Sequence, residues 1–362
     1  MKSLHNLLFC FMLLLLNGCS TNAYKIVDLS PEPSAGVYAL VKVFFATDRN
    51  QTGDVNPKNI FGSKRSNISY GECEVSIPRD HRMGELESPF LRIAFNEDPE
   101  KHVVLLHTDI TSKEQFFTDM SQVVQKSSKK ATLLFVHGYN VTFEDAARRT
   151  AQLAYDLGFD GAPTFYSWPS AGAMRYYTVD EQNIEWAEAN LKKFLDDYFT
   201  HSNAQNVYLI AHSMGNRALT RAVISLLREK PTFRSRLKEV ILAAPDIDAD
   251  VFKRDIAPAL TTFGAPVTLY ASSTDLALAA SMKVHRYPRA GDADGGLIVV
   301  PGIETIDATN VDTGLIKHSY FADKQSVISD MFYLINDEKS ADERFGLQPV
   351  NIPDGRYWKF KL

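Results

Sequence analysis

The chain has 362 residues, 39 Lys and Arg against 44 Asp and Glu, a formal net charge of -5 and 45% hydrophobic residues. This balance excludes a protein built to track nucleic-acid phosphates, which needs an excess of Lys and Arg on at least one face. The apolar fraction excludes a disordered or fibrous chain, and the length allows a substantial core in one large or two ordinary domains.

The N-terminus comes first in the chain. Lys2 precedes an unbroken apolar run at 7–16, too short to span a bilayer as a helix but suited to the h-region of a signal peptide. The run ends in Leu16, Asn17, Gly18 and Cys19, which resembles the bacterial lipoprotein processing box. The resemblance implies a signal peptide at 1–18 and acylation of Cys19; the alternative is an ordinary secretory signal in which Cys19 falls by chance. Acyl chains on Cys19 would anchor the chain to a membrane without spanning it, at about 0.8 kcal/mol per buried methylene. Ser20 stands where an inner-membrane retention signal often has Asp, so the expected location is the bacterial cell envelope, at the outer membrane facing the periplasm. With Cys10 in the signal and Cys19 lipidated, only Cys73 remains; no disulfide can form within the mature chain, and Cys73 reads as a buried or idle thiol.

Residues 19–36 read as a Ser/Pro-containing linker. A strand is expected at 37–46, a loop at 48–62, irregular β structure through Ile77 and Pro78, short strands at 91–95 and 103–110, and a helix at 112–125. Residues 37–130 are thus a β-rich extension packed on a core at 131–362. In that core, short apolar strands at 132–137, 164–168, 207–211, 240–244 and 267–271 alternate with helices at 143–157, 181–198 and 217–228. An extended segment at 303–309 and a final helix at 325–335 follow, and the aromatic tail with Tyr357, Trp358 and Phe360 is expected to pack back on the domain. Fully apolar strands alternating with helices specify an α/β architecture, a mostly parallel sheet covered on both faces.

The strongest chemical signal is VYLIAHSMG at 207–215, a strand running into a turn that holds Ser213, with a helix behind it. A nucleophile elbow needs this arrangement, with small residues two places either side of the serine; Ala211 and Gly215 fill them. Met214 would supply one oxyanion N–H. The plain alternative is that Ser213 only caps the helix. A second signal, LLFVHGYN at 133–140, offers Gly138 for close backbone approach and Tyr139 as the second oxyanion donor, with His137 structural. The α/β-hydrolase order is Ser, acid, His, and only His285 and His318 follow Ser213. His285 comes too soon after the strand at 267–271, so His318 is the candidate base. Asp275, at the tip of that strand, is the candidate acid, with Asp246, one strand earlier, as the alternative. Trp168 and Tyr176, in the segment 167–180 with Met174 and Tyr177, are candidates for a substrate wall. The alternating Asp246, Asp248 and Asp250 lack the Gly and Glu of a calcium loop, having Val251 and Ala257 there, and read as a solvated acidic turn before a helix. No metal or cofactor is expected.

FVHGYNVTFEDAARR, YSWPS, LIAHSMGNR, AAPDIDADVF and DTGLIKHSYF, with FFATDRN at 44–50 and SYGECEVSIP at 69–78, together resemble the DUF900 group of bacterial α/β-hydrolases, akin to lipases and esterases but of unassigned function. The resemblance covers roughly residues 41–335. It implies the α/β-hydrolase fold and Ser213 as nucleophile. The functional expectation is a membrane-anchored serine hydrolase that cleaves a small-molecule or lipid ester through a Ser213–His318–Asp275 triad and an acyl-enzyme. The expectation of a different class is a non-catalytic envelope lipoprotein that uses the fold as a binding or scaffold module. No nucleic-acid partner is expected, and the sequence carries no signal for an oligomeric state.

Overall fold

The computed structural model describes residues 38–89, 96–274, 276–294, 296–309, 311 and 327–361. In chain order the elements are β1 (Tyr38–Gln51), β2 (Phe61–Pro78), β3 (Val104–Thr111), α1 (Lys113–Lys126), β4 (Ala131–Val136), α2 (Phe143–Asp156), β5 (Gly161–Ser167), α3 (Tyr177–His201), β6 (Asn206–His212) and α4 (Gly215–Glu229). They continue as β7 (Leu237–Ala243), α5 (Ala249–Val251), α6 (Ala257–Thr262), β8 (Val267–Ala271), α7 (Leu276–His285), β9 (Ile303–Asp307), α8 (Val327–Asn336), β10 (Leu347–Ile352) and β11 (Gly355–Phe360).

The described strands form one sheet in the order β10-β11-β9-β8-β7-β6-β4-β5-β1-β2-β3. From β1 through β11 the neighbours in this order pair in parallel; antiparallel pairing is confined to β1–β2, β2–β3 and β10–β11 at the two flanks. The residues of β4 are all buried, as a parallel strand covered on both faces requires. Alternation along β6 shows the two cores: Val207, Leu209 and Ala211 join the layer made by α1, α3, α4 and α6, whereas Tyr208 and Ile210 join the layer made by α2 and α8. The fold is therefore the expected α/β-hydrolase-like arrangement of a mostly parallel sheet with helices on both faces.

The N-terminal strands belong to this same sheet. β1 runs parallel beside β5, pairing Phe44 with Thr164 and Thr47 with Ser167. The loop expected at 48–62 begins later, because Asp48 and Arg49 stay inside β1 as buried polar residues with partners: Tyr166 and Asn190 donate to Asp48 Oδ2 at 2.8 and 3.1 Å. Polarity reads as a loop in the sequence; here these polar groups are buried within the strand and hydrogen-bonded, Asp48 through Oδ2. The stretch through Ile77 and Pro78 is the end of a long strand whose pairing with β3 shifts register between Glu74 and Val75, and the strand expected at 91–95 lies outside the described residues. α7 escapes a periodicity reading because its sequence, LALAASMKVH, is apolar almost all round. The tail does pack back, as the β10–β11 hairpin beside β9, tied down by buried Arg344, which reaches Asp330 at 2.8 Å and Glu304 at 2.6 Å. No described helix is long and apolar enough to cross a membrane.

Candidate active site

Chain connections leave β4 in opposite directions: α2 leads to β5 on one side of it, and α3 then leads back to β6 on the other. Loops diverge at such a switch point and leave a crevice beyond the C-terminal strand ends, where open α/β sheets bind ligands. Ser213 lies at that point, immediately after β6 and before α4. Its φ is +50°, a left-handed conformation that costs a non-glycine residue about 1–3 kcal/mol and persists only where neighbours hold it.

Those neighbours are visible. Ser213 N–H donates to Ala243 O at 2.9 Å, and Ser213 O accepts from Asp246 N–H at 3.2 Å and from Asn216 Nδ2 at 2.9 Å. Asn216 Nδ2 also reaches Ala243 O at 3.2 Å, so this one buried amide clamps both sides of the turn. Gly215 must be glycine, since a Cβ there would sit 2.4 Å from His137 O. A Cβ on Gly138 would sit 3.0 Å from Ser213 Cβ, which places the backbone after β4 directly against the serine side chain. Met214 is the N-cap of α4, ahead of the first helical hydrogen bond, where its N–H has no acceptor within the helix.

The loop after β4 is fixed by a chain of hydrogen bonds that begins in β1. Arg49 Nε donates to Ser167 Oγ at 2.8 Å; Ser167 Oγ lies 3.1 Å from His137 Nε2, and His137 Nδ1 lies 2.7 Å from Gly138 O. One proton arrangement satisfies every atom: Ser167 O–H donates to Nε2, and Nδ1–H donates to the Gly138 carbonyl. Burial, with Arg49 nearby, lowers the His137 pKa to about 3, so the ring stays neutral. A peptide is planar and trans, so holding the Gly138 carbonyl toward His137 turns the Tyr139 N–H the other way. The other guanidinium donors of Arg49 go to the carbonyls of Gly62, Ser170 and Val141 at 2.7–3.0 Å. Buried Asp180 accepts from Asn140 N–H at 3.1 Å, Ala171 N–H at 2.7 Å and Ser170 Oγ at 2.5 Å. Arg49, Asp180 and Asn216 are not singled out by the sequence; FFATDRN and LIAHSMGNR contain two of them, but Arg49 acts on the carbonyls of Gly62, Val141 and Ser170, and Asn216 on Ala243 O as well as the nearby Ser213 O.

Asp246 follows β7, and its surroundings correct the reading of a solvated turn. It is buried; Oδ2 accepts from Tyr177 OH at 2.6 Å and Arg217 Nη2 at 3.1 Å, Oδ1 accepts from Ser281 Oγ at 2.6 Å, and Arg289 Nε lies 3.3 Å away. Its recorded partners are arginines and hydroxyls. The helix start anticipated there is present: Asp248 caps it, accepting from Asp250 and Val251 N–H at 3.0 and 3.1 Å. His285 ends α7 with Nε2 2.8 Å from Glu181 Oε1. Trp168 does not form a substrate wall: it is fully buried, stacked on His137 at 5.0 Å, with Nε1 donating to His137 O at 2.8 Å. Tyr176 is exposed, and the Tyr139 ring packs edge-on against Tyr177 at 5.1 Å. Cys73 is buried. Among the described residues no cluster of His, Cys, Asp and Glu is arranged to hold a metal ion. Cys19, Asp275 and His318 lie outside the described residues; in sequence, Asp275 comes after β8 and His318 after β9.

No curated protein matches the chain. Among solved structures, one described as a predicted CIB-like hydrolase from Thermoplasma acidophilum is similar at 11% identity and a TM-score of 0.29, over 75% of this chain and 88% of that one. The model of the DUF900 family, α/β-hydrolases of unknown function, matches residues 112–337, more than half of the chain and inclusive of both strand-end loops around Ser213. The chain belongs to the DUF900 family of α/β-hydrolases.

Proposed function

We propose that the protein is a serine hydrolase that cleaves carboxylic esters through an acyl-enzyme on Ser213, tethered to the cell envelope by acyl groups on Cys19. The observation that carries the reading is the left-handed Ser213 between β6 and α4, clamped by Asn216 and closed in by Gly138. A helix cap needs no such strain, and strained backbone is retained where it aims a reacting group.

In this mechanism His318 Nε2 takes the hydroxyl proton as Ser213 Oγ attacks the ester carbonyl, and a carboxylate, Asp275 or in its stead Asp246, orients the imidazole. The Met214 and Tyr139 N–H groups receive the negative charge that develops on the carbonyl oxygen. The protonated His318 then delivers its proton to the leaving alkoxide, and water, activated by the same histidine, releases the acid. The four recorded partners of Asp246 favour Asp275 as the orienting carboxylate.

The test is fluorophosphonate labelling of the purified lipoprotein. Wild type should label, and Ser213→Ala and His318→Ala should each abolish labelling while leaving the thermal transition in place. A folded wild type that resists the probe would overturn the assignment in favour of a non-catalytic envelope module.

A further inference from the structure

The chemistry of Ser213 is framed by a surface that this mechanism does not use. Met174, Tyr176 and Val179, at the entry to α3, are exposed, and so are Val284 and Tyr287 at the end of α7, with Met174 at 73% and Tyr287 at 62%. Two contacts bring these groups side by side: Tyr177 OH lies 2.8 Å from Ser281 Oγ, and the rings of Tyr177 and His285 are 5.8 Å apart. The same Tyr177 touches Tyr139, and its hydroxyl bonds to Asp246, whose N–H holds Ser213 O. These exposed apolar residues therefore flank the loops around Ser213, at the crevice expected beyond the C-terminal strand ends.

The base of this patch is rigid and its edge carries two arginines. Asp180 pins Ser170 and Ala171 just before the patch, and Arg217 links Glu181 to Asp246 beneath it. Arg175 stacks on the Tyr176 ring at 4.6 Å, and exposed Arg286 sits in the turn after α7. Aliphatic side chains, two tyrosines and flanking arginines on a fixed platform match the layering of a bilayer interface, where apolar groups enter the acyl boundary and cations meet anionic headgroups.

We propose that this patch docks on an anionic phospholipid surface, so that the crevice takes its ester from within the bilayer. The substrate class and the choice of a bilayer over a protein rest on the hydrolase reading above; the dye measurement below does not. Position selects the occupant: a protein seated on the patch would close the crevice, whereas a bilayer supplies substrate through it. β1 begins at the sheet edge opposite Ser213, and the stretch from Cys19 to Tyr38 spans at most roughly 60–70 Å when extended, enough for the crevice edge to turn toward the membrane that holds the anchor.

The test uses the full lipidated chain in vesicles of phosphatidylcholine alone or with 30% phosphatidylglycerol. An environment-sensitive thiol dye is placed at Met174→Cys and, as a control on the opposite edge, at Leu40→Cys; Cys73 is buried and does not compete. The expected result is a blue shift at position 174 only, larger in anionic vesicles and reduced by high salt. Equal emission at both sites, or a shift at 174 that follows protein concentration without lipid, would overturn the proposal, the second outcome in favour of self-association. In a second arm, Val284→Asp with Tyr287→Asp should leave fluorophosphonate labelling and hydrolysis of a soluble short-chain ester unchanged while cutting hydrolysis of a vesicle-embedded ester at least tenfold. Equal rates on the embedded ester would overturn docking, and failure of wild type to label would overturn the hydrolase reading alone.

Discussion

In the proposed mechanism, two side chains that do not touch substrate set how well Ser213 is aimed. Replacing Asn216 by Ala removes the amide that bonds both Ser213 O and Ala243 O and should cost about 1–3 kcal/mol, measured by denaturant unfolding, with a slower fluorophosphonate reaction. His137→Ala frees the Gly138 carbonyl and with it the direction of the Tyr139 N–H. The expected loss is about 10²–10³ in kcat with KM little changed, the signature of a lost oxyanion donor. Because burial holds the His137 pKa down to about 3, kcat should show no ionisation of that ring between pH 5 and 9. At this scale, Ser213, Gly138 and Gly215 are legible in sequence, since each belongs to a short pattern whose spacing is dictated by the turn. Asn216, Arg49 and Asp180 are not, because Arg49 and Asp180 take partners from separate loops and Asn216 joins the nearby Ser213 O to Ala243 O on the next strand. Trp168 misleads for the same reason: a tryptophan just past a strand looks available until His137 is seen to cover it.

Between elements, the end of β4 presses closely on the start of α4 at Gly215. A methyl group there meets the His137 carbonyl, which is backbone and cannot swing aside, so Gly215→Ala should lower stability by several kcal/mol, about 2–4 as for other overpacked or strained sites, and abolish labelling. A contrasting, milder change is Thr142→Ala at the N-terminus of α2, where a capping box joins Thr142 and Asp145. The expected cost is about 0.5–2 kcal/mol with labelling retained, which separates loss of a cap from loss of the elbow. The alternating apolar strands and helices of the core are legible because each buried face imposes its own period. The end of β1 past Ala46 and the short α7 are not: the one buries charged residues, and the other is apolar along nearly its whole sequence.

For the whole molecule, the opposite edge of the sheet holds a cleft of about 550 Å³ lined by Glu239, Lys238, Glu304 and Trp358. Burial raises the Glu239 pKa to about 8 from an ordinary 4.5, against a bond from Thr268, so the folded state keeps a proton that the unfolded chain has lost. Stability must then fall as pH rises from about 4.5 to about 8, since the folded state binds more protons in that window. Glu239→Gln keeps the shape and removes the titration; its melting temperature should exceed that of wild type by a margin that grows across that window and is flat beyond it. A constant margin would show that Glu239 ionises freely.

The parallel docking of β1 against β5 has one more consequence, for where this protein can be cut. The family match begins at residue 112, yet Arg49, more than sixty positions upstream, holds the carbonyls of Val141 and Ser170 and starts the proton chain that ends at Gly138. A gene fragment trimmed to 112–337 would lose that guanidinium, bare the flank of β5 as an unpaired edge and shed the hairpin that covers β9. The segment that the family model matches and the unit that folds are therefore different lengths of chain, and mutations in the first strands should mimic damage at Ser213.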